Sequence, residues 1–127
     1  MPPDPISIVR DFCDAWATGD LDAIMKFFAN DAVYHNIPVD PVVGVDTIRA
    51  TIAGFTTGVE SVEFRVLHMA ASDDVVLTER VDVFRFPKGT IELPVSGTFE
   101  IKDGKIAAWR DYFDMQQFMS RLPEVVG

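Results

Sequence analysis

The sequence predicts a single α+β domain spanning residues 1–127: a curved antiparallel sheet, with three helices from the first half of the chain laid against one face to enclose an apolar pocket. Three observations predict it. Apolar residues recur at helical spacing up to the neighbourhood of Gly58 and at alternate positions after it. The turn segments "SDD", "PKG" and "KDGK" divide the second half into hairpins, and Asp103-Gly104 is a strong hairpin signal. The chain has 127 residues, 48% of them hydrophobic, which suits one domain with one core.

The first helix starts after Asp4, a plausible N-cap, with Pro5 at the first helical position. Val9, Phe12, Cys13 and Trp16 form its apolar stripe, and Gly19 stops it. Asp20 caps a second helix with Leu21, Ile24, Met25 and Phe28 on one face. A short strand, "AVYHN", covers Ala32 to Asn36, and the two prolines of "NIPVDPVVG" make a fixed connector. Asp46 opens a third helix carrying Ile48, Ile52 and Phe55. Four strands follow at roughly Ser61–Ala70, Val75–Phe86, Thr90–Ile101 and Lys105–Phe113. The stretch Asp114 to Leu122 reads as a last helical segment, with Met115, Phe118 and Leu122 able to close the pocket.

Charge narrows the partners. Lys plus Arg number 11 against 20 Asp plus Glu, a formal net charge of -9. Such a surface repels phosphate backbones and anionic lipid, so neither nucleic acid nor membrane is expected. "MPPDPISIVR" has no apolar leader region, and no later run is long enough to span a bilayer. The single Cys13 leaves no internal disulfide and fits a reducing cytoplasm. It sits at helical spacing with core residues and reads as core filler. No metal is expected: His35 and His68 are the two histidines, and no HxxxH or CxxC spacing anchors a site.

The strand "VLTERVDVF" poses the chemical question. Alternation puts Thr78, Arg80, Asp82 and Phe84 on one face, with Arg80 and Asp82 about 7 Å apart along the chain. In "IAAWRDYFD", Trp109, Asp111 and Phe113 share a face, and two large aromatics flanking an aspartate point that face inward. The strand between them alternates Ile91, Leu93, Val95, Gly97, Phe99 and Ile101 with polar residues, so its inner face is apolar. Tyr34 and Asn36 again share a face two residues apart. An arginine between two acids inside a cone is either a structural ion-pair network or a functional site. Burial of such a triad is a poor source of stability, since desolvation costs several kcal/mol per ion. The alternation alone does not fix which face of the Arg80 strand turns inward.

"YHN", "LTERVDVF" and "GKIAAWRDYFD", in this order and spacing, resemble the limonene-1,2-epoxide hydrolase family, and the similarity runs from "FCDAW" to "FMSRL". The resemblance implies an NTF2-like, cone-shaped fold and turns Arg80 and Asp82 inward. It implies a catalytic set of Asp82, Arg80, Asp111, Tyr34 and Asn36, and substrate contacts at Trp16, Phe55, Val59, Phe84, Leu93, Val95, Phe113 and Val126. The implied partners are a small-molecule epoxide and water, with no cofactor and with a homodimer formed through the outer sheet face, where Leu67, Met69, Val81 and Val83 are expected. The implied roles are Asp82 as acid, Asp111 as base, Arg80 orienting both, and Tyr34 and Asn36 holding the water. Opening an epoxide with water needs a proton on the departing oxygen and a base on the water, which two carboxyls supply when one is neutral and one ionised. Two alternatives stand beside this reading: an isomerase or cyclase of the ketosteroid isomerase or polyketide cyclase kind, and a non-catalytic binder of an apolar ligand. His35 and His68 read as structural or surface residues, with no acidic partner evident for His68.

Overall fold

Helix α1 (Pro5–Trp16) begins where Asp4 adopts an extended backbone and Pro5 takes a position whose amide has no helical partner to lose. Its buried stripe is Ile8, Val9, Phe12, Cys13 and Trp16. The computed structural model describes residues 4–126, so the extreme ends of the predicted 1–127 domain lie outside the described residues.

The short α2 (Leu21–Met25) is capped by Asp20, whose carboxylate accepts from the Asp22 N–H at 3.0 Å. Phe28, expected on this helix, instead opens strand β1 (Phe28–Asn36), which starts well before the expected Ala32. The side chain is buried either way (5% exposed), so its apolar character did not reveal the change of period. Part of the expected connector is a two-residue strand, β2 (Val42–Val43), paired antiparallel with β1 through Val33↔Val43 and Tyr34↔Val42. Helix α3 (Val45–Phe55) is capped by Gly44 at φ 93, a left-handed conformation suited to glycine, and Asp46 falls in the first turn rather than at the cap.

Strands β3 (Ser61–Ser72), β4 (Val75–Phe86), β5 (Gly89–Lys102) and β6 (Lys105–Tyr112) follow as consecutive hairpins, and α4 (Met115–Val126) ends the described chain. The six strands run β2-β1-β6-β5-β4-β3. All neighbours are antiparallel except β1 and β6, which pair in parallel through Tyr34↔Trp109 and Asn36↔Asp111. The two strands are far apart in sequence with α3 between them, so no hairpin forces them antiparallel. The result is the curved, unclosed sheet of an NTF2-like fold, with α1 lying across its concave side and the core between them.

A bulge in β3 changes the outer face. Between Val66↔Arg80 and His68↔Glu79 the ladder takes in the extra residue Leu67. Simple alternation from Leu67 placed Met69 outside. The bulge turns it inward opposite Thr78, where it packs against the core. The bulge also sets His68 against Glu79, and the two side chains pair at 2.8 Å, the acidic partner that sequence position did not suggest. Val83 points outward by parity yet is only 1% exposed. Apolar residues left open on this side include Leu67 and Leu77, each 49% exposed, Tyr112 at 46% and, on β2, Val43 at 61%. Among the described residues no helix is long and apolar enough to cross a membrane.

Candidate active site

Strand register assembles the site. On β4, Thr78, Arg80 and Asp82 face the concave side, and their neighbours across β5 are Gly97, Val95 and Leu93. Gly97 is in turn paired with Asp111 of β6, and Asp111 with Asn36 of β1. Arg80 therefore has to reach across β5 to meet Asp111, and the position it crosses is a glycine. A Cβ on Gly97 would stand 2.3 Å from Arg80 Nη1 and 2.7 Å from Asp111 Oδ1, so the reach exists because the side chain is absent.

Arg80 is 1% exposed, Asp82 3% and Asp111 4%. Arg80 Nε donates to Asp82 Oδ1 at 2.9 Å and Nη2 to Asp82 Oδ2 at 2.8 Å. Nη1 donates to Asp111 Oδ1 at 3.2 Å and Nη2 to Asp111 Oδ2 at 2.8 Å. Nη1 also donates to Thr78 Oγ1 at 3.2 Å, whose hydroxyl donates on to the Gly97 carbonyl at 3.3 Å. All five guanidinium N–H groups are engaged. The plane lies over Phe64, with Cζ 4.6 Å from the ring centre. Asp111 accepts a further bond from Trp109 Nε1 at 2.7 Å, and its carbonyl accepts from the Ile37 N–H at 2.9 Å.

Burial pushes the Asp82 carboxyl up to about 6, against the pull of Arg80 and with the help of the Asp111 charge. Desolvation opposes the Arg80 charge, yet Asp111 and Asp82 together hold its pKa well above the ordinary arginine value. Burial, and then Asp111, raise the Tyr34 hydroxyl, which keeps its proton and lies beside the Asn36 side chain. Tyr34 itself is clamped by its ring stack on Trp109, 4.3 Å between centres and 12° between planes.

These groups form the floor of an apolar cavity of about 140 Å³. Tyr34, Asn36, Asp82 and Asp111 are its polar lining, and Phe55, Phe84, Leu93, Val95 and Phe113 are on its wall. Phe64, Met115 and Phe118 complete the wall. Met115 and Phe118 were expected there, whereas Leu122 packs against the core without reaching the cavity. Phe64 was not singled out, although it lies opposite Asp82 in register and shares its inward parity. Trp16 stands one layer behind, stacked on Phe64 at 4.4 Å and on Phe55 at 6.0 Å. With Val59 it lines a separate cavity of about 190 Å³. Val126 is 59% exposed and off the wall, and the residue turned inward is its neighbour Val125, 3% exposed against Gly89. Thr78, Gly97 and Trp109 are the site residues that the residue types alone did not mark.

The model of the limonene-1,2-epoxide hydrolase catalytic domain matches residues 3–124 of this chain. The chain belongs to the limonene-1,2-epoxide hydrolase family. The curated protein epoxide hydrolase EphG of Mycobacterium tuberculosis is 31% identical over 114 residues, covering 90% of this chain and 76% of that one. The solved structure of an M. tuberculosis LEH-like epoxide hydrolase superposes with TM-score 0.81 at 30% identity, covering 96% of this chain and 92% of that one. A putative SnoaL-like polyketide cyclase from Shewanella denitrificans gives TM-score 0.84 at 18% identity, covering 95% and 98% of the two chains, and shares the fold alone. Within the limonene-1,2-epoxide hydrolase family, then, this chain carries two buried carboxyls bridged by one arginine under an apolar cavity.

Proposed function

We propose that this protein adds water to an apolar epoxide, cyclic or aryl, to give a vicinal diol in one step without a covalent intermediate. The observation that carries this reading is the pair of buried carboxyls held on one guanidinium, beside Tyr34 and Asn36, at the polar end of an otherwise apolar cavity. With both carboxyls ionised the triad is net negative in a dry setting, and one retained proton makes it neutral. Asp82, the carboxyl pushed up by burial, is the acid that protonates the departing oxygen. Asp111 is the base that takes a proton from the attacking water, and Arg80 holds both in register. Tyr34 donates and Asn36 accepts to fix that water between the base and the ring carbon. The small, largely aromatic cavity favours compact apolar rings, and its two carboxyls are both held by Arg80 rather than left free to recruit an ionic substrate. Water addition to a strained ring needs no cofactor from the protein.

The alternative of a covalent ester on an aspartate needs a second base, commonly histidine, to release it. His35 Nε2–H instead donates to the Val39 carbonyl at 2.9 Å, and His68 pairs with Glu79 on the outer face. The test is a single turnover in ¹⁸O-water with enzyme in excess over epoxide. Direct attack puts the label in the diol at once. Label in an aspartate-containing peptide would overturn the mechanism, and conversion of a 3-oxo-Δ5-steroid without any diol from epoxides would overturn the hydrolase reading itself.

A further inference from the structure

We infer that the Trp109 indole N–H decides which of the two buried carboxyls serves as the base, by giving Asp111 a donor that Asp82 lacks. This rests on the proposed acid–base pair and assigns it a positioning residue. Arg80 treats the two aspartates almost alike: two N–H groups go to each, at 2.9 and 2.8 Å for Asp82 and at 3.2 and 2.8 Å for Asp111. By those contacts alone Asp82 is the slightly better-held anion. Trp109 Nε1 reverses the balance with the shortest bond of the set, 2.7 Å to Asp111 Oδ1.

An indole N–H donates and cannot accept, so it favours an oxygen without a proton. Asp111 Oδ1 thus receives two donors and Oδ2 one, whereas each Asp82 oxygen receives one among the described residues. The donor is also immobile. Trp109 is 0% exposed, stacked between Tyr34 and Phe99 (4.3 and 5.5 Å between ring centres) and met edge-on by Phe12 at 5.1 Å. The other titratable groups facing the pair add no charge. Tyr34, from β1, is held protonated by burial, and the Cys13 thiol, from α1, is pushed by burial up to about 12. What distinguishes the carboxyls is therefore the hydrogen-bond count, and a proton placed on the pair settles on Asp82.

The experiment reads the proton directly and does not depend on turnover. The side-chain carboxyl ¹³C resonances of Asp82 and Asp111, assigned with Asp82→Asn and Asp111→Asn, are titrated in ligand-free protein. Two changes are compared with the native chain: Trp109→Phe, and the benzothienyl analogue of tryptophan at position 109. The analogue keeps the ring size and stacking and replaces N–H with sulfur, so it decides the matter if Trp109→Phe unfolds. In the native chain the protonation shift falls on Asp82. In the altered proteins we expect the proton's distribution to move toward Asp111 by roughly tenfold, the scale of one hydrogen bond to a charged group. With cyclohexene oxide as substrate, kcat should fall in step with the fraction of protein that keeps its proton on Asp82, with KM little changed. A distribution between Asp82 and Asp111 that is unchanged from the native chain in the folded analogue protein overturns the inference. A shift that moves to Asp111 in a protein whose native form makes no diol upholds it and removes the hydrolase reading instead.

Discussion

At the scale of single residues, the site depends as much on what is missing as on what is present. Gly97 has an ordinary strand conformation, so its glycine is demanded by space rather than by backbone angle. Gly97→Ala should leave the sheet intact and displace Arg80 from Asp111, lowering kcat by at least ~100-fold, as expected for losing a positioned acid–base pair. Unchanged far-ultraviolet dichroism with lost turnover is the expected result. The carboxyls themselves make a stability prediction. The Asp82 pKa rises from 3.8 unfolded to about 6 folded, so the native state binds the proton more tightly. Its contribution is fully present below the unfolded value and is lost as pH rises through the folded one. Between those limits the native chain should lose roughly 3 kcal/mol that Asp82→Asn does not lose. Urea denaturation of both proteins across that window measures the difference. The sequence made Arg80, Asp82, Asp111, Tyr34 and Asn36 visible because charged or polar residues interrupt apolar alternation. Thr78 and Trp109 were placed on the inner face but not marked as site residues, because each is ordinary for a strand and only the register shows what it touches, while Gly97, unusual inside a strand, passed as part of an apolar face.

At the scale of elements, β4 to β6 were legible because alternation and turn residues agree, and β4 falls on the predicted Val75–Phe86. The failures occur where two structures satisfy one pattern. Phe28 is buried equally well on a helix end or a strand start, and the β3 bulge inverts parity beyond Val66 without any glycine or proline to announce it. The last helix was placed by its apolar residues, and its function follows from one contact. Phe118 meets Phe84 edge-on at 5.4 Å over the cavity, while Val125 alone on α4 is fully buried. Phe118→Ala should thus open the pocket more than it loosens the fold. We expect KM for an apolar epoxide to rise by about tenfold or more, from the ~1–3 kcal/mol typical of a lost hydrophobic contact in a pocket, with kcat less affected. Steady-state kinetics and a thermal melt on the same sample separate the two effects.

At the scale of the whole molecule, the concave face of the sheet is filled by α1 and the cavity, and among the described residues no helix covers Leu67, Leu77 and Tyr112 on the convex face. Open apolar residues on a sheet face invite a partner, and we propose that a second copy of the chain takes that place. The patch differs from the expected one, since Met69 turns inward and Val83 is already covered, so Leu77 rather than Val83 is the residue to test. Light scattering should give a dimeric mass across micromolar concentrations, and Leu77→Glu should reduce it to a monomer. A monomeric native chain would remove the proposal. The formal net charge of -9 opposes association in low salt, so added salt should tighten the dimer.

Arg80 Nη2 touches both carboxyls, and this shared nitrogen has a consequence for the cycle as a whole. In the proposed reaction each ring opening takes the proton from Asp82 and leaves the water's proton on Asp111. The site that releases the diol is the mirror image of the one that bound the epoxide, and it is idle until the proton has been returned. The guanidinium lies between the two but holds its own protons too firmly to pass one along. We propose that recharging runs through water and small acids and bases that enter the emptied cavity. Raising buffer concentration at fixed ionic strength should raise kcat and leave kcat/KM unchanged, because the return belongs to the second half of the cycle. The separation is one arginine's width, yet on this proposal the proton crosses it by way of the solvent.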